Sequence, residues 1–124
     1  CVVLDLNNLK NTNDTYGHIE GDRLICSLAD RIREIYDGTA ECYRIGGDEF
    51  VVVSDELGEK ETRERVAELE KRIEEMNVSA DIPLSVSIGC AGGEGRTVLE
   101  TYHAADMEMY ENKRIYKVAA VMSK

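Results

Sequence analysis

Residues 44–53 read RIGGDEFVVV, and this stretch carries the strongest structural signal in the chain. Its two glycines, Gly46 and Gly47, accept the positive backbone angles that a tight turn requires. β-Branched and aromatic residues on both sides predict strands over residues 40–45 and 50–53, the second of them buried. The acidic pair Asp48 and Glu49 therefore lies at an exposed hairpin tip. Such a tip is either a metal-binding element or an ordinary solvated turn.

A second acidic turn follows the first apolar segment. Residues 2–4 predict a short buried strand that ends at Asp5, and a carboxylate in this position is well placed to bind a hard cation. Residues 7–22 then contain many amides, acids and glycines before any helical periodicity begins. Turn formation accounts for some of these residues but not for all of them. We therefore expect a functional loop after the first strand.

The remaining pattern predicts three helices and one further strand. Apolar residues recur at helical spacing over residues 20–36 and 60–77, and Thr97 with Glu100 forms a capping-box signature for the last helix. Residues 84–89 alternate between apolar and small residues, as a strand does. The order βαββαβ predicts an α+β, ferredoxin-like domain in which an antiparallel sheet carries its helices on one face.

In a sheet of this order the first strand lies beside the hairpin, so Asp5 and Asp48 face each other across adjacent strands. Paired carboxylates of this kind hold the metal ions of phosphoryl-transfer enzymes. The net charge of −10 excludes a general binder of nucleic acid, which needs a basic surface to replace counterions. A phosphate charge close to a carboxylate costs about 4 kcal/mol, so any phosphate ligand bound at this pair needs a divalent cation such as Mg²⁺.

The composition fits a single domain. The chain has 124 residues, 43% of them hydrophobic, and contains no apolar run long enough for a membrane span. Its four cysteines are scattered without metal-type spacing, which favours reduced, mostly buried thiols over disulfides or zinc binding. This usage predicts a cytoplasmic domain, whether or not the parent protein is membrane-anchored.

The motifs occur in the order found in a known family. The chain resembles GGDEF domains, which are diguanylate cyclases, at DLNNLK (5–10), ND (13–14), GH (17–18), GD (21–22), GGDEF (46–50) and VSIG (86–89). Asp106, Tyr110 and Lys113 resemble the family's last helix. The resemblance covers nearly the whole chain, and it implies the palm fold shared with polymerases and class III nucleotide cyclases.

The resemblance also implies an activity. GGDEF domains condense two GTP into cyclic di-GMP, release pyrophosphate, depend on Mg²⁺ or Mn²⁺, and act as homodimers because each active site holds half of the product. By similarity, Asp5, Asp48 and the carbonyl of Leu6 bind metal. Glu49 either assists on a second metal or deprotonates the attacking 3′-hydroxyl. Lys113 assists catalysis at the phosphates.

Substrate contacts follow from the same resemblance. Asn13 and Asp22 stand at guanine-binding positions, and an amide with a carboxylate matches the edges of guanine. Taken alone, Asn13 is equally well a turn amide, and Asp22 an acid favoured by the dipole at a helix N-terminus. The implied phosphate-binding group comprises Asn8, Leu9, Lys10, Gly46, Gly47, Lys113 and Lys117.

The chain departs from the family at several positions. Lys117 stands where an arginine is usual, and it offers a point charge without a bidentate fork. Glu108 and Asn112 stand where alanines are common. Residues 37–40 align with the family's inhibitory Arg-x-x-Asp motif and read DGTA, so both the arginine and the aspartate are missing. We therefore expect no product inhibition through that site.

Two other classes of function stay open beside the enzyme. One is a catalytically weak GGDEF domain that binds GTP as a regulatory module, which the replacement at Lys117 would favour. The other is a structural or interaction module, which the retained Asp5, Asn13, Asp22 and Asp48 argue against. The chain opens directly into its first strand. We therefore expect residues 1–124 to be an N-terminally truncated catalytic domain, with a leading helix and a sensor or dimerisation region upstream.

Overall fold

The computed structural model describes residues 1–122. The elements in chain order are β1 Val2–Leu6, α1 Leu9–Tyr16, α2 His18–Tyr36, β2 Glu41–Ile45, β3 Glu49–Val53, α3 Glu59–Asn77, β4 Val86–Cys90 and α4 Val98–Met122. The sheet has the strand order β2-β3-β1-β4, and every neighbouring pair is antiparallel. The predicted α+β class and the position of β1 beside the hairpin are confirmed. No helix among these residues is both long and apolar enough to cross a bilayer.

Helices cover both faces of the sheet, so the expectation that they share one face is wrong. On one face Leu4 packs with Leu28 of α2 and Leu69 of α3 in the main core. On the other face Val3 packs with Ala105 of α4 in a second, smaller core. The cause lies in the strands: β1 and β3 carry apolar residues at consecutive positions, which leaves apolar side chains on both sides.

Gly89 of β4 allows α4 to approach the sheet closely. A Cβ atom on Gly89 would lie 2.1 Å from the carbonyl oxygen of Ala105 and 2.2 Å from the amide nitrogen of Met109. Both atoms belong to the backbone of α4, so only glycine fits between strand and helix. This contact fixes where the side chains of α4 reach the end of β1.

The outer edge of β4 is covered by the two residues that replace alanines. Asn112 donates a hydrogen bond to the carbonyl of Ile88 at 2.6 Å, and Glu108 accepts one from the amide of Cys90 at 3.4 Å. Arg63 of α3 binds Glu108 through two contacts of 3.2 Å. These side chains satisfy backbone groups that an edge strand would otherwise expose.

The expected functional loop after β1 is largely helix α1, and this prediction was wrong. Asn8 begins the helix in a left-handed conformation with φ 65°, and Gly17 separates it from α2 with φ 94°. Thr12 is its buried residue, and the side chain of Leu9 packs against the main core. A helix with so little apolar surface shows no helical periodicity in its sequence.

The other predicted elements differ from the structure by a few residues. The capping box is confirmed, since the amide of Thr97 donates to Glu100 Oε1 at 3.0 Å and the amide of Glu100 donates to Thr97 Oγ1 at 3.1 Å. Residues 1–122 contain four free cysteines and no disulfide. Cys90 is buried, but Cys26 and Cys42 are exposed, so the expectation of mostly buried thiols is wrong for these two.

Candidate active site at the end of the central strand

The acidic turn and the end of β1 meet in the structure. Asp5 pairs in register with Glu49 of β3 on one side and with Ser87 of β4 on the other. The amide of Leu6 donates a hydrogen bond to the carbonyl of Asp48 at 2.9 Å. This bond holds the hairpin turn against the last residue of β1. The predicted neighbours Asp5 and Asp48 are thus brought together by backbone pairing.

Lys113 of α4 reaches the same place. Its Nζ atom lies 2.6 Å from Asp5 Oδ1 and 3.1 Å from the carbonyl oxygen of Leu6. The side chains of the pair are 20% and 16% exposed, so water screens this contact only in part. Of the three oxygen donors predicted to bind metal, two therefore contact one ammonium group.

The electrostatic balance at Asp5 depends on this lysine. Burial raises the pKa of the Asp5 carboxyl, and the hydrogen bond and charge of Lys113 oppose that rise. The charge and carboxyl contact of Asp48 raise the pKa further. The two carboxylates repel each other when both are ionised, and a cation bound beside them would relieve that repulsion.

Glu49 lies on the α4 side of the sheet among other acids. The Tyr102 hydroxyl donates to Glu49 Oε1 at 3.4 Å. Burial is the main cause that raises the pKa of Glu49, followed by the charges of Asp106 and Asp5. Sequence reasoning assigned no site role to Tyr102 or Asp106. Tyr102 and Asp106 lie eleven and seven residues before Lys113 on α4, and this spacing was the available signal that they share its helical face.

A cavity of about 400 Å³ opens beside these groups. Its lining contains six of the predicted site residues, Leu6, Asn8, Leu9, Lys10, Asp48 and Lys113. Asn11 and Asp14 of α1 also line it, and the sequence had not marked them as binding residues. Because α1 supplies so many of these residues, the polar segment after β1 is the wall of a cavity.

The predicted guanine-binding residues lie outside this cavity, near the junction of α1 and α2. A Cβ atom on Gly21 would lie 1.8 Å from Asn13 Oδ1, so the Asn13 amide packs directly on that glycine. Asp22 follows Gly21 in the chain and is exposed in the second turn of α2. Because Gly21 has no side chain, the Asn13 amide lies against the residue that directly precedes Asp22.

Asp5 and Glu49 adjoin the cavity without lining it, and Gly46, Gly47 and Lys117 also lie outside the lining. Gly46 has φ 74°, and the carbonyl of Gly47 accepts a hydrogen bond of 2.8 Å from Arg44 Nη2, which holds the turn. Lys117 is exposed one turn beyond Lys113 on α4. The structure brings the residues predicted to bind metal and to act in catalysis together, and it leaves Lys117 exposed to solvent.

The donors at the end of β1 fit Mg²⁺. Asp5, Asp48 and the Leu6 carbonyl are hard oxygen ligands, and two of them already hold a cationic group, the ammonium of Lys113. Residues 1–122 contain no cluster of three or more His, Cys, Asp or Glu able to hold a metal. Magnesium suits such a sparse set, because it retains waters and binds substrate phosphates.

Comparisons with known proteins agree on one family. The family model for the diguanylate cyclase GGDEF domain matches residues 1–117. Diguanylate cyclase DosC of Escherichia coli is 32% identical over 118 residues, which cover 91% of this chain and 26% of DosC. The chain thus spans about a quarter of the length of this curated relative.

Solved structures give the same fold. The active GGEEF domain of a Vibrio cholerae diguanylate cyclase superposes with a TM-score of 0.80 at 24% identity, over 92% of this chain and 75% of that one. The GGDEF domain of DgcB from Caulobacter crescentus, solved in complex with c-di-GMP, gives a TM-score of 0.80 at 25% identity, over 91% and 70%. At 24% identity, the Vibrio cholerae structure shows the fold alone. With the family match over residues 1–117, these findings show that the chain belongs to the GGDEF family of diguanylate cyclase domains.

Proposed function

We propose that this domain is one half-site of a diguanylate cyclase that joins two GTP into cyclic di-GMP. The observation that carries the proposal is the convergence of Asp5, Asp48 and the Leu6 carbonyl with Lys113 at the end of β1. A triphosphate in the adjoining cavity would meet Lys10 and Lys113 on its phosphates. Asp5 and Asp48 would hold a divalent cation against it.

The reaction consists of two equivalent transfers. In each, the 3′-hydroxyl oxygen of one GTP forms a bond to the α-phosphorus of the other, and the bond to the β-phosphate bridging oxygen breaks. Two pyrophosphates leave, and two hydroxyl protons are released. Glu49 lies next to Asp5 in the register and would accept the proton of the attacking hydroxyl. Lys113 would balance the charge of the departing pyrophosphate.

Mg²⁺ or Mn²⁺ held by Asp5, Asp48 and Leu6 would neutralise phosphate charge at the reacting centre. The chain has a net charge of −10, so its own cations do not offset a triphosphate. Asn13 and Asp22 would bind guanine, whose N1–H and amino group suit a carboxylate acceptor. We place the domain in the cytoplasm, where GTP and Mg²⁺ are available.

The product has twofold symmetry, and the cavity beside Asp48 offers one set of candidate phosphate-binding lysines, Lys10 and Lys113. A second copy of the domain must therefore face the first. The relatives of this chain are longer than it is. In the parent protein, an upstream sensor or dimerisation segment would bring two copies of the domain together.

The test is product formation by the chain fused to a parallel coiled coil that dimerises it. The fusion is incubated with GTP and Mg²⁺, and nucleotides are separated by chromatography. Asp48→Asn removes one charge without changing shape, and Asp55→Asn, at an exposed acid beyond β3, is the matched control. We expect cyclic di-GMP from the parent and the control, and a loss of at least about 100-fold in Asp48→Asn.

The regulatory-module alternative predicts a different result from the same fusion. GTP would bind in the presence of Mg²⁺, but no cyclic di-GMP would form from parent or control. Equilibrium dialysis with labelled GTP separates this outcome from a failure to bind. Product formation at equal rates by the parent and Asp48→Asn would contradict the proposed active site itself.

A further inference from the structure

Lys113 contacts the very oxygen atoms assigned to the metal. Its ammonium lies 2.6 Å from Asp5 Oδ1 and 3.1 Å from the Leu6 carbonyl oxygen. An ammonium donates up to three hydrogen bonds and accepts none, so it binds oxygen donors much as a small cation does. The structure therefore shows a cation of the protein on two of the three predicted ligands.

A metal ion and this ammonium exclude each other. Mg²⁺ binds its oxygen ligands at about 2.0–2.1 Å and tolerates little distortion, so it would need the space between Asp5 and Leu6 that the ammonium fills. The two positive groups would also repel each other strongly at such short range. Binding of a divalent cation at Asp5 and Leu6 therefore requires the side chain of Lys113 to leave.

The geometry of α4 limits that movement to the side chain. Gly89 lets the backbone of α4 lie directly on β4, and Ala105 and Met109 are buried there. Packing at Ala105 and Met109, one to two turns before Lys113, thus holds the backbone of α4 in place. The stem of Lys113 has four carbons and lines the cavity proposed for the triphosphate. Its ammonium can turn from Asp5 to a phosphate in that cavity without moving the helix.

We infer that Lys113 is an internal cation that competes with the metal and is transferred to the nucleotide when metal and GTP bind together. The inference deepens the proposed function and rests on it. Lys113 would weaken binding of a divalent cation alone and strengthen binding of the metal–nucleotide complex. The site would then select Mg²⁺ that arrives with GTP and stay paired with its own lysine otherwise.

The test measures metal and nucleotide binding separately in the 124-residue chain. Mn²⁺ is titrated without nucleotide, and free Mn²⁺ is followed by electron paramagnetic resonance. We expect Lys113→Gln to bind Mn²⁺ about tenfold more tightly than the parent, which corresponds to about 1.4 kcal/mol. Binding of a non-hydrolysable GTP analogue with Mn²⁺ should weaken by a similar factor. Opposite signs for the two ligands are the signature of exchange.

Control variants distinguish the effect of the Lys113 contact on Mn²⁺ affinity from the effect of removing any positive charge. Lys10→Gln removes a positive charge from the same cavity, where Lys10 has no ion pair with Asp5 among residues 1–122, so Mn²⁺ affinity should change less than about threefold. Lys113→Arg keeps the charge and should keep Mn²⁺ weak. Adding Asp5→Asn to Lys113→Gln should remove the gained affinity. Lys113→Met provides a second neutral variant, and circular dichroism checks that each variant folds.

Several results would overturn the inference. Mn²⁺ affinity within twofold of the parent in both Lys113→Gln and Lys113→Met would show that the lysine does not compete. An equal gain in Mn²⁺ affinity in Lys10→Gln would show that the change reflects net charge and not the contact of Lys113. Absence of Mn²⁺ binding in the parent and in both neutral variants would also contradict it. None of these results depends on turnover, so a failure of the proposed cyclase activity is detected independently in the fused dimer.

Discussion

Gly21 is the residue that sets the position of the Asn13 amide. A Cβ atom there would lie 1.8 Å from Asn13 Oδ1 and 2.9 Å from its Cγ. In Gly21→Ala the Asn13 side chain must turn away, since a side chain moves more easily than helix α2. Alanine otherwise favours a helix by about 1 kcal/mol over glycine. We expect an unchanged or higher melting temperature together with roughly tenfold weaker GTP binding, measured by calorimetry, if Asn13 binds guanine.

A double-mutant cycle checks whether this effect passes through Asn13. Asn13→Ala should weaken GTP binding about as much as Gly21→Ala does. The double variant should lose no more than Asn13→Ala alone, because the displaced amide is then absent. Additive losses in the double variant would contradict the explanation.

Glu49 costs stability at neutral pH. Its pKa is raised by burial and by Asp106, Asp5 and Asp48, so the folded state holds this proton more tightly than the unfolded state does. The stabilising contribution of Glu49 is therefore complete below its unfolded pKa and is lost as the pH rises through the folded value. We expect Glu49→Gln to raise the melting temperature by a few degrees at pH 7 and by little near pH 4.

The exposed Glu56 provides the comparison. Glu56→Gln lies beyond the other end of β3 and should leave the difference between the two pH values unchanged. Thermal melts of both variants across pH 4–8 measure this. A stabilisation by Glu49→Gln that is equal at both pH values would contradict the role of its charge.

The sequence alone predicted that Asp5 and Asp48 lie together better than it predicted what surrounds them. Asp5 and Asp48 were predicted as neighbours, because strand order follows from the hydrophobic pattern and the turn. Tyr102 and Asp106 were not linked to Glu49, because that contact depends on where α4 crosses the sheet. The crossing is set by the close approach at Gly89, and no periodicity in the sequence encodes it.

At the scale of elements, Gly89 is the contact on which the placement of α4 depends. In Gly89→Ala the new Cβ would lie 2.1 Å from the Ala105 oxygen and 2.2 Å from the Met109 nitrogen. These are backbone atoms, so the helix must shift. We expect a loss of about 1–3 kcal/mol in the free energy of unfolding by urea, together with reduced activity, because Lys113 moves with α4.

Gly93→Ala is the matched control for that change. Its Cβ would lie 3.7 Å from Thr101 Oγ1, which is ordinary contact distance. We expect its urea midpoint to stay within experimental error of the parent. Equal stability of Gly89→Ala and Gly93→Ala would mean that α4 does not lie against β4 as described.

Helix α1 shows which element the sequence could not reveal. Its fully buried residue is Thr12, and Leu9 is the residue through which it packs on the main core, so it lacks the apolar stripe by which α2 and α3 were predicted. The residues that made the segment look like a loop are the polar ones that line the cavity. The polar residues of α1 that line the cavity leave few positions for apolar residues. Hydrophobic periodicity therefore does not reveal the helix.

At the scale of the whole molecule, a second cavity, distinct from the candidate active site, carries negative charge that limits which ligands it can bind. A cavity of about 460 Å³ lies between residues 38–41 and residues 53–56. Among residues 1–122, its lining includes the acids Glu41, Asp55 and Glu56 and no basic residue. Residues 38–40, which belong to the segment 37–40 that lacks the arginine and aspartate of the inhibitory motif, contribute its first wall. A dinucleotide with two phosphates would be repelled there.

We therefore expect cyclic di-GMP not to inhibit the dimerised domain through this surface. Initial rates measured with added product should stay constant up to concentrations at which ordinary competition with GTP begins. Asp37→Arg combined with Ala40→Asp restores both motif residues, and it should bind labelled cyclic di-GMP more tightly than the parent. Non-competitive inhibition of the parent chain by its product would contradict this, because the three carboxylates of the lining repel the two phosphates of the product.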